Sequence, residues 1–292
     1  MINIKVNLHV TEKCNYRCKQ CFAKFGSCKD LGIAEWKHIV MNCVNSGITE
    51  FNIAGGEPFV YPYFDELVEF INDCGASCSV ITNGSLITRD WIKSYGRKIN
   101  TLGVSIDSIN NSINANIGRE TVSGKQLDTD YIKECLCLLK DINPNCSIKI
   151  NTVVSKLNYS EYMYDFILKC KCDRWKLLRM HIFNDGIHDN SSLSITDGEY
   201  EIFVKNNISN YSRDNFDSNQ NRVLKTDDGV IIVLENDMES AYIIIDSRGF
   251  LVDNVDNKYT DVINCTKESF TDGLNKMIFN DSSFWSRYEL SE

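Results

Sequence analysis

Cys14, Cys18 and Cys21 lie within eight residues, in Cys14-Asn-Tyr-Arg-Cys18-Lys-Gln-Cys21. Thiolates bind soft metals, and iron–sulfur clusters are held by cysteine sulfur. A four-iron cluster usually takes four cysteines, so three close together leave one iron open to a non-protein ligand. A zinc site would want a fourth Cys or His nearby, and Cys28 is the candidate. A lone Cys18–Cys21 pair is a common accidental pattern. The opening residues Met1-Ile2-Asn3 do not read as a secretory signal. A reducing, cytoplasmic setting without disulfides is therefore expected.

Two further stretches carry chemistry. Gly55-Gly56-Glu57-Pro58 follows the short apolar run Phe51-Asn-Ile-Ala. Glycines let the backbone approach a ligand, and Glu57 can accept hydrogen bonds from an ammonium group. The second stretch is Ser147-Ile-Lys-Ile-Asn-Thr-Val-Val with Arg174-Trp-Lys. Strands covered on both faces read nearly all apolar, but here Lys149 and Asn151 alternate with Ile148 and Ile150. Arg174 and Lys176 likewise share a face opposite Trp175. An inward Lys or Arg is almost never left unpaired. Three cations aimed into one cavity suit a polyphosphate, with arginine as a fork and lysine as a point charge. Salt bridges inside the barrel, or a slipped register, are the competing readings.

The elements that must position these residues alternate along the chain. Strands are expected at 2–10, Phe51–Ala54, Cys78–Thr82, Leu102–Ile106, Ile148–Val154 and Trp175–Met180. Helices are expected at Ile33–Val44, Phe64–Ile71, Trp91–Tyr95, Tyr131–Leu139 and Tyr162–Leu168. Repeated βα units imply parallel strands with right-handed crossovers, and six of them make an open α/β barrel. Such barrels carry chemistry at the C-terminal strand ends, where the cysteine loop, Gly55-Gly56-Glu57, Asn83-Gly84 and Ser105 fall. Residues 184–228 are rich in Asn, Asp and Ser and read as long loops with one short helix, Tyr200–Lys205. Strands at 229–234 and 241–246 and a turn at Asp246-Ser-Arg-Gly249 follow. The expected division is a barrel over 1–183 and an extension over 184–292 that caps it as part of one unit.

Composition narrows the partners. The 292 residues carry a net charge of −9, which disfavours nonspecific nucleic-acid binding. No apolar run is long enough to span a membrane. Cys135/Cys137, Cys170/Cys172 and Cys74/Cys78 fall on periodic faces and read as small core residues rather than a second cluster.

The cysteine spacing after a first strand resembles that of radical S-adenosylmethionine (SAM) enzymes. In that superfamily the open iron is chelated by the amino and carboxylate groups of SAM, and a GGEP-type stretch holds the amino group. The resemblance sharpens over Asn7-Leu-His-Val-Thr-Glu-Lys-Cys-Asn-Tyr-Arg-Cys, Thr82-Asn-Gly-Ser-Leu-Ile, Ser105-Ile-Asp-Ser, Ile117-Gly-Arg, Lys149-Ile-Asn, Arg174-Trp-Lys, Ser218-Asn-Gln and Trp285-Ser. Together these look like the viperin family. The resemblance implies a partial six-unit barrel, a 4Fe–4S cluster and SAM as cofactors, and a nucleoside triphosphate as substrate. It also implies an electron donor of the flavodoxin or ferredoxin type, with a monomer expected. The implied reaction gives the 3′-deoxy-3′,4′-didehydro nucleotide, an antiviral chain terminator, after hydrogen removal at C4′.

Carried over residue by residue, Cys14, Cys18 and Cys21 hold the cluster. Gly55, Gly56, Glu57, Asn83 and Ser105 line SAM, and Arg119 holds its carboxylate. The residue before the last cysteine is usually aromatic in this superfamily, whereas here it is Gln20, and Phe22 follows beside the adenine. Lys149, Arg174 and Lys176 cradle the triphosphate. Asn7 and Asn151 contact ribose or base, and Lys258 matches a further phosphate-binding lysine. Tyr242 stands where a tyrosine helps deliver hydrogen to the substrate radical. Two other readings remain: a radical SAM enzyme acting on a peptide, and an iron–sulfur sensor. The first usually carries extra C-terminal cysteines, whereas only Cys265 lies beyond Cys172. The second leaves the inward cations unexplained.

Overall fold

The structure is a computed structural model; it describes residues 4–21, 29–182, 190–208, 222–235, 241–255 and 258–278. Six βα-type strands come first: β1 (Lys5–His9), β2 (Glu50–Ala54), β3 (Ser77–Thr82), β4 (Thr101–Ser105), β5 (Ser147–Val154) and β6 (Arg174–Arg179). Between them run α1 (Ile33–Asn45), α2 (Phe64–Asp73), α3 (Arg89–Tyr95), α4 (Asn111–Ile117), α5 (Thr129–Ile142) and α6 (Tyr164–Lys169). All five successive pairings from β1 to β6 are parallel. The helices form where an apolar stripe recurs at helical spacing. Trp36, Ile39, Val40 and Cys43 bury one face of α1, and Ile132, Cys135, Leu136 and Leu139 bury one face of α5. Asp128 caps α5 by accepting the amides of Asp130 and Tyr131, and Thr88 caps α3 through the amide of Trp91.

The later part of the chain lengthens this sheet at both edges. It holds α7 (Asp197–Asn207), β7 (Arg222–Lys225), β8 (Ile231–Glu235), β9 (Ile243–Ile245), β10 (Phe250–Val255), β11 (Lys258–Asn264) and α8 (Phe270–Leu274). The strand order is β11-β10-β9-β1-β2-β3-β4-β5-β6-β8-β7. β8 joins β6 in parallel, and β9 joins β1 in parallel. Eight consecutive strands are thus parallel, and no described pair closes the ring. The extension was expected only as a cap; the structure also uses it to wall both flanks of the barrel. α4 and β11 are elements that the apolar pattern does not announce. α4 is Asn-Ser-Ile-Asn-Ala-Asn-Ile, too polar to show a stripe, and forms because Asn110 caps it and Gly118 ends it at φ +82°.

The pleat decides what faces the lumen. In β5, Ile148, Ile150, Thr152 and Val154 are buried under the helices, while Ser147, Lys149, Asn151 and Val153 are partly exposed. Lys149 pairs with Gly103 and Arg174, and Asn151 with Ser105 and Lys176. Trp175 lies on the outer side, stacked with Tyr164 and edge-on to Phe203. The register is therefore the one that puts Lys149, Arg174 and Lys176 inside. Among the described residues no helix is long and apolar enough to cross a membrane. All the described cysteines are free. Burial pushes the thiols of Cys78, Cys170, Cys172 and Cys265 up to about 12, so they behave as inert core residues.

Candidate active site

The cysteine loop leaves β1 at the mouth of the barrel and is held by backbone contacts. The Gly56 amide donates to Thr11 O at 2.6 Å, and the Glu57 amide to Lys13 O at 2.9 Å. On the other side, the amides of Arg17 and Lys19 donate to Gly118 O and Ile117 O, at 3.3 and 3.0 Å. Glycine is required at these contacts. A Cβ on Gly56 would lie 2.3 Å from Lys13 O, and one on Gly118 2.5 Å from Arg17 O. Gly55 and Gly56 thus bring the loop backbone close to the end of β2.

The three sulfurs sit in an environment suited to a charged group. The Tyr16 amide points at Cys14 Sγ (3.4 Å), and Asn83 Nδ2 lies 3.9 Å from the same sulfur. Cys14, Cys18 and Cys21 feel one another's charge. Burial drives the Cys18 thiol up to about 12, while the Arg119 guanidinium pulls it down. Bound iron reverses that balance and holds a coordinating thiol deprotonated. Among the described residues no three His, Cys, Asp or Glu side chains converge on a single ion. Phe22 and Cys28 lie outside the described residues.

Glu57 is fully buried and accepts Thr82 Oγ1 and the Asn83 amide, both at 2.7 Å, and the Phe59 amide at 3.2 Å. Asn83 is fixed by Asn15 and Ser85. Arg119 is buried and committed: it pairs with Asp107 at 2.9 Å and donates to Ser105 O. Asp107 also accepts Gln20 Nε2 (2.7 Å) and the Val153 amide (2.8 Å). Gln20, where an aromatic was expected, is therefore a strut between the cysteine loop and the end of β4. Sequence reading missed Asp107 because nothing in its local spacing marks it as a hub.

The luminal side chains divide by depth. One layer holds Gly103, Lys149 and Arg174; the next toward the mouth holds Ser105, Asn151 and Lys176. Lys149 makes no ion pair or hydrogen bond among the described residues. Burial, with Lys176 adding repulsion, lowers its pKa well below the usual lysine range. Burial also lowers Arg174. Asn151 Oδ1 is buried with no partner among the described residues. Lys176 departs from expectation: it is ion-paired with Glu235 and donates to Tyr242 Oη. Tyr242 in turn donates to Glu235 at 2.8 and 3.1 Å. Asn7 is likewise partly committed, to Ile243 O (3.0 Å) and Asn52 (2.8 Å). The Lys258 backbone lies in β11, and its side chain is outside the described residues. Tyr259, unmarked in the sequence, senses both Cys21 and Tyr242.

Known proteins resemble this chain over most of its length. The radical SAM superfamily matches residues 8–174. An S-adenosylmethionine-dependent nucleotide dehydratase of Selenomonas ruminantium is 34% identical over 97% of this chain and 98% of its own length. A protein of the same name from Fibrobacter sp. (strain UWH6) is 32% identical over 99% of this chain and 90% of its length. The chain belongs to the nucleotide dehydratases of the radical SAM superfamily.

Solved radical SAM structures share the fold. The anSMEcpe structure with bound AdoMet and a peptide matches 93% of this chain and 80% of that chain, at TM-score 0.69 and 16% identity. SuiB of Streptococcus suis matches 98% and 67%, at TM-score 0.67 and 15% identity. At such identities the likeness concerns the fold alone. As a radical SAM enzyme the chain takes a 4Fe–4S cluster and SAM, and the cysteine loop fits the cluster by its thiols and the amide aimed at Cys14 Sγ.

Proposed function

We propose that this chain converts a ribonucleoside triphosphate, CTP or UTP in the first instance, to its 3′-deoxy-3′,4′-didehydro form. The observation that carries the reading is Lys149 beside Arg174 on adjacent luminal strands of an acidic chain, with no ion pair at Lys149 among the described residues. A cation left so in a desolvated lumen is unfavourable unless an anion arrives. A triphosphate supplies that anion and accepts from both a guanidinium fork and an ammonium.

The depth order then orients the substrate. The phosphates reach the Lys149–Arg174 layer, and the sugar lies nearer the mouth, beside Asn151 and Ser105. Asn151 Oδ1 offers an acceptor for a ribose or base donor. A bound reduced cluster with SAM would supply a carbon-centred radical able to remove the C4′ hydrogen of a ribose held beside Asn151 and Ser105. The 3′-hydroxyl then leaves as water, with uptake of one electron and one proton. We assign Tyr242 as the luminal acid for that departure, its hydroxyl being held in the lumen beside Lys176 in the free protein. The electron comes from a reduced carrier of the flavodoxin or ferredoxin class, and the chain works as a cytoplasmic monomer. Residues 1–183 act as the barrel and 184–292 as the extension that completes and caps it.

Anaerobic reconstitution, addition of SAM and reductant, and a nucleotide screen by mass spectrometry test the reading. One triphosphate is expected to speed 5′-deoxyadenosine release and to lose the mass of water. Stimulation by a peptide and by no nucleotide would replace this reading with peptide modification. Tyr242→Phe is expected to keep SAM cleavage and to lower product at least tenfold, within the range of a general-acid contribution. Unchanged product would remove Tyr242 from the chemistry.

A further inference from the structure

Glu235 has no role in the reading above, yet it is 2% exposed and joined to two residues that do. Its position is a consequence of topology. β8 pairs with β6 so that Glu235 lies opposite Leu178, on the same face as Lys176. Tyr242 immediately precedes β9, which is attached to the other flank of the barrel through β1. The acid at the end of β8, the ammonium on β6 and the phenol just before β9 thus meet across the lumen. Lys176 donates to the Tyr242 hydroxyl, lies 5.1 Å from its ring centre, and is ion-paired with Glu235. The phenolic O–H in turn points at the carboxylate, 2.8 and 3.1 Å away.

In this arrangement the two charges serve opposite ends. Glu235 neutralises one of the luminal cations that a triphosphate would use, and it turns the phenolic proton toward itself. An incoming phosphate competes with the carboxylate for Lys176. We propose that Glu235 is a positioning residue: it holds Lys176 and Tyr242 together in the nucleotide-free enzyme, and a triphosphate that takes Lys176 releases the phenol toward the sugar. The inference rests on the nucleotide reading above. It makes substrate binding and the placing of Tyr242 a single event, so that the acid is presented only when phosphates are in the lumen.

The carboxylate competes with phosphate, so removing its charge strengthens binding. Glu235→Gln is expected to bind CTP or UTP several-fold to tenfold more tightly by calorimetry, a measurement that needs no turnover. The same variant is expected to release several-fold more 5′-deoxyadenosine per didehydro product, because the phenol is no longer set. A purely structural Glu235 would weaken binding and leave that ratio alone. Lys176→Met is expected to cost little affinity in the wild-type background and several-fold more in the E235Q background. Additive effects across that cycle, or looser binding by Glu235→Gln, would overturn the inference. Should Glu235→Gln fail to fold because it strands a buried ammonium, the Lys176→Met, Glu235→Gln pair removes both charges. That pair is expected to fold, to bind about as tightly as wild type, and to raise the deoxyadenosine ratio; an unchanged ratio would sink the proposal. Wild-type protein that binds no triphosphate would overturn the nucleotide reading itself, a result distinct from any of these.

Discussion

Lys149→Met is expected to weaken triphosphate binding about thirtyfold while leaving iron content and SAM-cluster assembly intact. A charge-assisted hydrogen bond to phosphate contributes about 2 kcal/mol, which corresponds to that factor. The side chain is luminal, on the β5 face that also carries Asn151, and lies beside Arg174 on β6. Its charged form is penalised in the free protein by burial and by Lys176, with Glu235 opposing. Methionine removes that penalty and keeps the aliphatic stem, so the melting temperature is expected to stay level or rise. A residue that lowers stability while serving binding is what a functional cation should be. Calorimetric titration of nucleotide, an iron assay and a melting curve on one preparation check all three. Equal nucleotide affinity in wild type and variant would remove Lys149 from the pocket.

The same depressed pKa predicts a pH dependence with a definite sign. In the free folded protein Lys149 loses its proton below the pH at which it does so in the unfolded chain. Between those two values the unfolded state binds more protons, so the Lys149 contribution makes folding stability rise with pH across that window. Binding behaves oppositely. A phosphate restores the ammonium, so binding takes up a proton and affinity falls as pH rises through the free-protein pKa. The phosphates are fully ionised well above pH 6 and do not mask the slope there. Lys149→Met is expected to flatten both profiles, and equal slopes in wild type and variant would show that another group titrates.

Much of the barrel was legible because its constraints are local. Apolar stripes place α1, α2 and α5 to within a few residues, and period-two alternation puts Lys149 and Asn151 on one face, the luminal one in the structure. That argument worked because a charged residue inside a covered strand violates the ordinary apolar pattern and so announces itself. Lys176 shows where it stops. Its partner Glu235 ends the run Ile-Ile-Val-Leu-Glu, which locally reads as a strand meeting solvent, and only the β6–β8 register brings the two together. Asp107 and Gln20 were hidden for the same reason: their hydrogen bond joins positions 87 residues apart. Tyr259 needed β11, whose pairing with β10 contains a register shift that alternation alone does not foresee.

The glycines of the cysteine loop give the other large effect. Gly56→Ala is expected to leave a folded chain that cannot hold its cluster. The new Cβ would lie 2.3 Å from Lys13 O and 2.7 Å from Glu12 O. Those are backbone atoms, so relief requires the turn itself to move, and Cys14 is the next residue along it. Overpacking of this kind typically costs about 1–3 kcal/mol, and the least anchored partner gives way first. Here that partner is the loop, because Trp36, Phe51 and Trp91 on the other side are packed in the hydrophobic core. Iron bound per chain is expected to fall by at least half and SAM cleavage by a hundredfold or more, with the melting temperature lowered only modestly. Gly198→Ala is the control: nothing lies within 4 Å of its Cβ position. Alanine is also the better helix former in α7, so full iron loading and an equal or higher melting temperature are expected. If Gly56→Ala loads iron as well as Gly198→Ala does, the close approach at the end of β2 does not hold the cysteines in place, and Glu57 with its three donors must be doing so alone.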